Sequence, residues 1–273
     1  MPFKNGDFLL INYTLKVKET GETVGTTLES VAKETKLYHG EERYEPFFVV
    51  VGEGWVPKGL DEALQGFDVG KENTVELSPE KGYGARDPKK VRLVPLRKFR
   101  VDGVTPVPGL QVNIDGKTAL VRSVGAGRVQ VDYNHPFAGK TLMYDLTVEK
   151  ALEGEEEKIK CLIHKRIPSV EQDKFKVKVE EIKLDVEVPE EAFFLEGIQV
   201  AKRTLTTDIE KFFTKIETIT FHETFKKPAP AVPTPTTETK KVETATAPVQ
   251  PGPTASKLSS AISNLPMTQD DSS

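Results

Sequence analysis

The chain has 273 residues, of which 37% are hydrophobic and 29% charged, a length typical of about two domains. Its net charge of −4 and pI of about 5.8 argue against a general nucleic-acid-binding protein. No apolar run approaches the ~20 residues that span a bilayer, and the N-terminal segment lacks the apolar core and cleavage site of a signal peptide. The single cysteine, Cys161, predicts a buried, inert thiol in a reducing compartment. We therefore expect a cytoplasmic protein that binds neither nucleic acid nor membrane.

The pattern of apolar residues in the first third of the chain predicts a sheet with one short central helix. Residues 7 to 18 alternate apolar and polar side chains, as in a strand, and residues 22 to 45 are polar and turn-rich with a short helical stretch, LESVAKETKLY. Residues 49 to 67, VVVGEGWVPKGLDEALQGF, predict a strand, a glycine-containing break and an amphipathic helix that Gly66 ends. A further strand then runs into a proline-started loop, in which Tyr83 lies between two glycines.

Residues 97 to 134 are predicted to be an inserted β domain. Asp115-Gly116 is a strong hairpin signal between two alternating runs, and Gly125-Ala126-Gly127 marks a second turn. The last strand of the main sheet, TLMYDLTVEKAL, begins only at Thr141, and a connection of this length with strands of its own indicates a small domain.

Residues 154 to 225 predict a third unit that begins with a charged linker, EGEEEK, and continues in the order β, β, α, β. One helix on a three-stranded sheet buries little core, and the adjacent Phe212 and Phe213 widen the apolar surface of that helix. We therefore expect this unit to pair with a second copy. Residues 226 to 273 are rich in Pro, Thr, Ala and Ser, which predicts a disordered tail, with SKLSSAISNL as an alternative docking helix.

Three motifs follow one another along the chain: LDEALQGF, YGARDP and NHPFAGKTL. In this order they resemble the FKBP-type peptidyl-prolyl isomerases, most closely the SlyD-like and archaeal long-type members. The resemblance spans residues 3 to 152 and continues more weakly to about residue 225. It implies an α+β fold, with an antiparallel sheet wrapped on a short helix (residues 1–96 and 135–153). It also implies an insert-in-flap domain at 97–134 that binds unfolded chains, and a C-terminal ββαβ domain at 154–225.

The resemblance also implies a substrate pocket. Rotation about an X-Pro bond needs neither nucleophile nor cofactor, because its barrier of ~18–20 kcal/mol comes from amide resonance. The twisted transition state is less polar than the planar amide, so an apolar pocket favours it. By resemblance, the pocket consists of Tyr13, Val24, Phe47, Val56, Pro57, Leu60, Tyr83, Phe137 and Tyr144. Leu60 would form the floor, Tyr13 and Tyr144 the walls, and the Tyr83 hydroxyl would bind a peptide carbonyl. The same residues also fit an ordinary core, although the glycines around Tyr83 favour a functional position.

Two positions depart from the family pattern. Gly25 stands where the pocket usually has a carboxylate, and Pro57 stands where the family commonly has an isoleucine whose N–H binds the substrate carbonyl. Both changes predict a lower isomerase rate. The four histidines lack the spacing of metal ligands, so we expect no metal and no cofactor.

The sequence thus predicts a peptidyl-prolyl isomerase with chaperone activity, acting on unfolded or nascent proteins that contain X-Pro bonds. The alternative is a non-catalytic holdase that keeps the fold and binds chains through the insert. A metal-delivery role is disfavoured, because the histidine-rich tail of some SlyD proteins is missing.

Overall fold

The computed structural model describes residues 2–101 and 103–225, which form two compact units that meet in sequence at Ala151 and Leu152. The expected disordered tail, residues 226–273, lies outside the described residues. Both units combine strands and helices, which confirms the α+β class. No helix in the described part of the chain is long and apolar enough to cross a bilayer.

The first unit contains a five-stranded sheet with two short helices. Its strands run in the order β2-β1-β9-β4, with β3 also paired to β1. The bounds are β1 Phe8–Val17, β2 Thr23–Thr26, β3 Phe47–Val50, β4 Glu72–Leu77, β9 Leu142–Leu152, α1 Glu29–Glu34 and α2 Lys58–Leu64. The pairs β1–β2, β1–β3 and β4–β9 are antiparallel.

The core of this sheet follows from the alternation in β1. Leu9, Ile11 and Leu15 occupy one face of the strand and are fully buried. The α2 side chains Leu60 and Leu64 are buried as well. Helix α2 is therefore the predicted central helix, and it contacts β4.

A second sheet of four strands lies within the same unit, in the order β5-β8-β7-β6. Its bounds are β5 Val91–Pro95, α3 Leu96–Val101, β6 Gln111–Ile114, β7 Lys117–Gly125 and β8 Arg128–Asp132. Asp115 and Gly116 both have positive φ, 54° and 77°, which confirms the predicted hairpin. The predicted start of the insert at residue 97 was wrong, because Val91–Pro95 pairs with β8 and belongs to the inserted sheet.

The second unit consists of two helices and a three-stranded sheet in the order β10-β11-β12. Its bounds are α4 Glu155–Arg166, β10 Lys176–Glu180, β11 Lys183–Val188, α5 Ile198–Phe212 and β12 Thr218–Glu223. Strands β10 and β11 are antiparallel, whereas β11 and β12 are parallel.

The predicted linker EGEEEK was wrong, because most of it forms the first turn of α4. Glutamates at a helix N-terminus interact favourably with the helix dipole, and Ile159, Leu162 and Ile163 then bury one face of the helix. Helix α4 contacts α5, and Arg166 bonds Asp208 across this contact through two N–O pairs of 2.6 and 2.9 Å. The unit thus has two helices where the sequence predicted one, and these helices contact each other.

Candidate active site

Five of the nine predicted pocket residues form one continuous aromatic cluster. The Tyr13 ring lies 6.1 Å from Phe47 and 5.7 Å from Tyr144, between ring centroids. Tyr83 lies 5.6 Å from Phe137. A side-chain hydrogen bond between the Tyr83 and Tyr144 hydroxyls joins the two halves of the cluster. These five side chains come from β1, β3, β9 and two loops.

The hydroxyl groups of this cluster stay protonated at ordinary pH. Burial, with the nearby Tyr83, raises the pKa of Tyr13 to about 12. Burial also raises the pKa of Tyr144 well above its usual value. The pKa of Tyr83 is raised by burial, an effect that its hydrogen bond with Tyr144 partly offsets.

The loop that carries Tyr83 is fixed at both of its ends. The Gly59 N–H at the start of α2 donates to the Lys81 carbonyl at 2.9 Å, and the Gly139 N–H donates to the Gly84 carbonyl at 2.8 Å. Gly139 has φ +76°, and a Cβ there would stand 3.1 Å from the Arg86 Cβ. The loops that present Tyr83 and Phe137 are thus bound to each other through their backbones.

His135 also belongs to the cluster, although the sequence marked it only as one of four histidines without the spacing of metal ligands. Its ring stacks on Tyr83, with centroids 4.0 Å apart and planes 2° from parallel. The Phe137 N–H donates to His135 Nδ1 at 3.2 Å, which places the ring proton on Nε2. Burial lowers the pKa of His135 to about 4, so the ring is neutral near pH 7. Its position two residues before Phe137 was the only signal in the sequence.

The other predicted residues lie at the start of α2 and on β2. Val56, Pro57 and Leu60 are buried, and the Pro57 carbonyl accepts from the Leu60 and Asp61 N–H groups. Val24 is half-buried and lies at a register shift between β2 and β1. Grouping all nine residues as one substrate pocket stays a prediction.

The sequence reading also missed Asp61, a buried carboxylate on α2. Its two oxygens accept from the Gly52 and Gly54 N–H groups at 2.8 and 3.3 Å. Both glycines have positive φ, so the turn before α2 depends on them and on this carboxylate. The available signal in the sequence was an aspartate directly after Leu60, in a short helix that follows a glycine-containing turn.

The Gly25 backbone lies opposite Leu15 and is buried, so the position usually taken by a carboxylate carries no side chain. Within residues 2–101 and 103–225 no group of His, Cys, Asp or Glu side chains could hold a metal ion. The arrangement is therefore an apolar aromatic surface with few hydroxyl groups. Such a surface favours a twisted, less polar amide over a planar one.

Three family models match successive parts of the chain. "FKBP-type peptidyl-prolyl cis-trans isomerase" matches residues 2–98, "FKBP26, IF domain" matches residues 92–137, and "FKBP26_C-terminal" matches residues 155–226.

Known relatives agree with these matches. The short-type peptidyl-prolyl cis-trans isomerase of Methanocaldococcus jannaschii is 37% identical over 154 residues, 56% of this chain and 97% of that protein. The FKBP-type 16 kDa isomerase of Escherichia coli is 28% identical over 54% of this chain and 93% of its own length. SlyD of Helicobacter pylori is 30% identical over 44% of this chain and 66% of its own length. This chain therefore belongs to the FKBP-type peptidyl-prolyl cis-trans isomerases, enzymes that interconvert the cis and trans forms of X-Pro bonds and assist protein folding.

Proposed function

We propose that proline binds on the aromatic cluster of Tyr13, Phe47, Tyr83, Phe137 and Tyr144, with Leu60 as the floor and Val24, Val56 and Pro57 completing the pocket. The observation that carries this proposal is the continuity of the five rings across three strands and two loops. The Tyr83 hydroxyl donates to a peptide carbonyl while the apolar walls exclude water. As the X-Pro bond twists it loses its resonance and some of its polarity, and the pocket then binds it more tightly.

The pocket assignment is tested with Tyr83→Phe, which keeps the ring and its stacking on His135 but removes the hydroxyl. We expect the catalysed rate on a short proline peptide to fall by about two- to tenfold, the value of one hydrogen bond. Thermal melts confirm that the variant is folded. An unchanged rate would mean that this hydroxyl does not bind the substrate.

The inserted sheet is proposed to bind unfolded chains and to supply them to the pocket, which makes the protein a chaperone as well as an isomerase. Leu93, Val101 and Val107 on this sheet and its connections are exposed by 59%, 85% and 51%, and such side chains suit an extended chain. The ends of the insert lie side by side, since the Tyr133 N–H bonds the Lys90 carbonyl at 3.0 Å. Binding beside the pocket raises the local concentration of prolines around it.

The chaperone proposal is tested by replacing residues 91–131 with a two-glycine link. We expect proline-limited refolding of a protein client to slow by about tenfold, while the rate on a short proline peptide changes little. Equal losses in both assays would contradict the proposal. Suppression of aggregation without catalysis in the intact protein would instead favour the holdase alternative.

We infer that the second unit mediates self-association. Phe193 contacts Phe194 and Phe225, which are exposed by 86% and 67%, so an aromatic patch is available to a second copy. Sedimentation of the full chain against a chain that ends near Leu152 tests this. The shorter chain corresponds in extent to the M. jannaschii relative. Two monomers at micromolar concentration would contradict the dimer.

A cytoplasmic location is proposed from Cys161. Its thiol is buried and forms no disulfide, as expected of a protein kept in a reducing compartment.

A further inference from the structure

The inserted domain is strongly basic, although the chain as a whole is acidic. Residues 86 to 134, which are the insert and the connections that lead into and out of it, contain ten Lys and Arg against four Asp, a net charge of +6. Residues 2 to 85 contain nine basic and fifteen acidic side chains, a net charge of −6. The isomerase body and its insert thus have opposite charges of equal size within one compact unit.

Most of the positive charge in the insert is not used for internal ion pairs. Asp115 pairs with Lys98 at 2.6 Å, and Asp132 pairs with Arg86 and Arg122. Among the described residues, no ion pair engages the seven remaining basic side chains, all of which are exposed: Lys89, Lys90, Arg92, Arg97, Arg100, Lys117 and Arg128.

Several of these charges share one region with apolar side chains. Arg97 and Arg100 are exposed on α3, whose Phe99 is buried in the core of the insert. The Leu96 N–H bonds the Gly127 carbonyl at 2.9 Å, so the turn that carries Arg128 lies against the start of α3. Leu93, two residues before β5 ends, and Val101, at the end of α3, are both exposed. This mixed region, named here the basic apolar surface, consists of Leu93, Arg97, Arg100, Val101 and Arg128.

We propose that the basic apolar surface selects unfolded polypeptides in which acidic residues alternate with apolar ones. The proposal rests on the proposed chaperone role of the insert and names its preferred client. The charges attract carboxylates, and the exposed aliphatic side chains bind the apolar residues between them. The negatively charged isomerase body repels the same carboxylates, so an acidic segment of the client stays on the insert. A proline outside that segment can then reach the pocket.

A nucleic acid fits this surface less well. Proteins that hold single strands combine positive charge with aromatic side chains on which bases stack. In the described part of the insert, the aromatic side chains are Phe99 and Tyr133. Phe99 is buried, and Tyr133 packs against the core with the Arg92 guanidinium 6.0 Å from its ring centroid. The exposed apolar side chains of the insert, such as Leu93 and Val101, are aliphatic, so they offer no ring on which a base could stack.

The test uses three labelled unfolded peptides of the same length and apolar sequence, whose intervening polar residues are all Glu, all Gln or all Lys. Fluorescence anisotropy with the intact protein gives Kd at low and at high salt. We expect the Glu peptide to bind most tightly and the Lys peptide least tightly. Added salt should reduce the difference, because it screens exposed charges.

The variant Arg97→Gln/Arg100→Gln/Arg128→Gln should weaken binding of the Glu peptide by about five- to tenfold and leave the Gln peptide nearly unchanged. A matched control removes three exposed positive charges elsewhere: Arg43→Gln/Lys183→Gln/Lys215→Gln. This control should bind all three peptides as the wild type does. Both variants should retain the wild-type isomerase rate on a short proline peptide.

Each other outcome is decisive. Equal binding of the Glu and Lys peptides, or equal effects of the two triple variants, overturns the preference for acidic clients and leaves the chaperone role in place. Failure of all three peptides to bind overturns both. Tighter binding of a single-stranded RNA than of the Glu peptide, lost in the first variant only, would show a nucleic-acid site instead.

Discussion

At the scale of the residue, stacking on His135 orients the Tyr83 ring and its hydroxyl group. Neither loop alone holds Tyr83, since its ring rests on an imidazole that lies 52 positions further along the chain. The sequence predicted Tyr83 as a functional residue from its flanking glycines. It could not predict the stacking partner, because no periodic pattern relates two loops that meet only in the folded protein.

Replacing His135 tests this support. His135→Ala removes an aromatic pair worth about 0.5–1.5 kcal/mol, so we expect the isomerase rate on a short proline peptide to fall by about two- to tenfold. His135→Phe keeps a ring at this position and should retain most of the rate. Equal losses in the two variants would show that stacking is not what positions Tyr83.

The same histidine makes stability depend on pH. Burial lowers its pKa from 6.5 to about 4, so the unfolded chain binds the proton more strongly than the folded one. The stabilisation is complete above pH 6.5 and is lost as the pH falls towards 4. After allowance for partial exposure, we expect a loss of about 1–2 kcal/mol, measured by urea denaturation. In His135→Phe this part of the pH dependence should be absent.

Pro57 is the second residue whose effect can be measured. It has no N–H for a substrate carbonyl, and its φ of −53° and ψ of 142° are also accessible to isoleucine. The carbonyl of residue 57 that receives the first N–H groups of α2 is retained in Pro57→Ile. We expect this variant to catalyse isomerisation about three- to tenfold faster, with a small loss of stability. A folded variant that is no faster would show that this N–H has no catalytic role.

At the scale of the element, α2 is placed by a glycine that the sequence did not single out. A Cβ on Gly59 would stand 2.7 Å from Leu77 Cδ2 and 2.9 Å from Lys81 Cβ. The helix start can therefore approach β4 and the Tyr83 loop closely only without a side chain at this position. This close approach depends on the tertiary structure, so the amphipathic pattern that predicted α2 could not reveal it.

Gly59→Ala should destabilise the first unit by about 1–3 kcal/mol, because the added methyl group overpacks this contact. Gly66→Ala is the matched control, since its Cβ would meet the Ala63 carbonyl at an ordinary 3.6 Å. We expect the control to remain within about 0.5 kcal/mol of the wild type in urea denaturation. Because alanine favours a helix more than glycine does, an equal loss in both variants would contradict the close contact at Gly59 as the cause.

The predicted elements were most accurate where local chemistry determines them. Asp115-Gly116 predicted its hairpin because positive φ at both positions is a local requirement. The sequence did not reveal that Val91–Pro95 belongs to the insert, because only pairing with β8 assigns that strand. Likewise EGEEEK has the composition of a linker, but most of it is helical because the apolar residues after it are buried within the second unit.

At the scale of the whole molecule, the net charge of −4 conceals the opposite charges of the insert and of the isomerase body. The two are joined by a polar junction, which the sequence could not show because its members lie far apart along the chain. Asp132, at the end of β8 and 1% exposed, binds Arg86 of the Tyr83 loop at 2.7 Å and Arg122 of β7 at 2.9 Å. Its other oxygen accepts from the N–H and the side-chain amide of Asn134. The Asn134 amide also bonds the backbone of Asp87, so the junction fixes both connections to the insert.

Asp132 should therefore determine how firmly the insert is held beside the pocket. Burial raises its pKa, but the hydrogen bonds from Asn134 and Arg122 and the charge of Arg86 outweigh burial and lower it to about 2. Because the folded-state pKa lies below the usual 3.8, the stabilisation is complete above about pH 4 and is lost as the pH falls towards 2.

Asp132→Asn keeps the shape of the side chain and removes its charge. We expect it to destabilise the first unit by about 1–2 kcal/mol at pH 7, after allowance for the partly exposed arginines. It should also slow refolding of a protein client more than isomerisation of a short peptide, because the insert is held less firmly while the aromatic cluster is intact. The control is Asp115→Asn, which removes an exposed ion pair with Lys98 within the insert and should change neither quantity. If Asp132→Asn lowers both rates equally, the junction supports the pocket itself rather than the position of the insert.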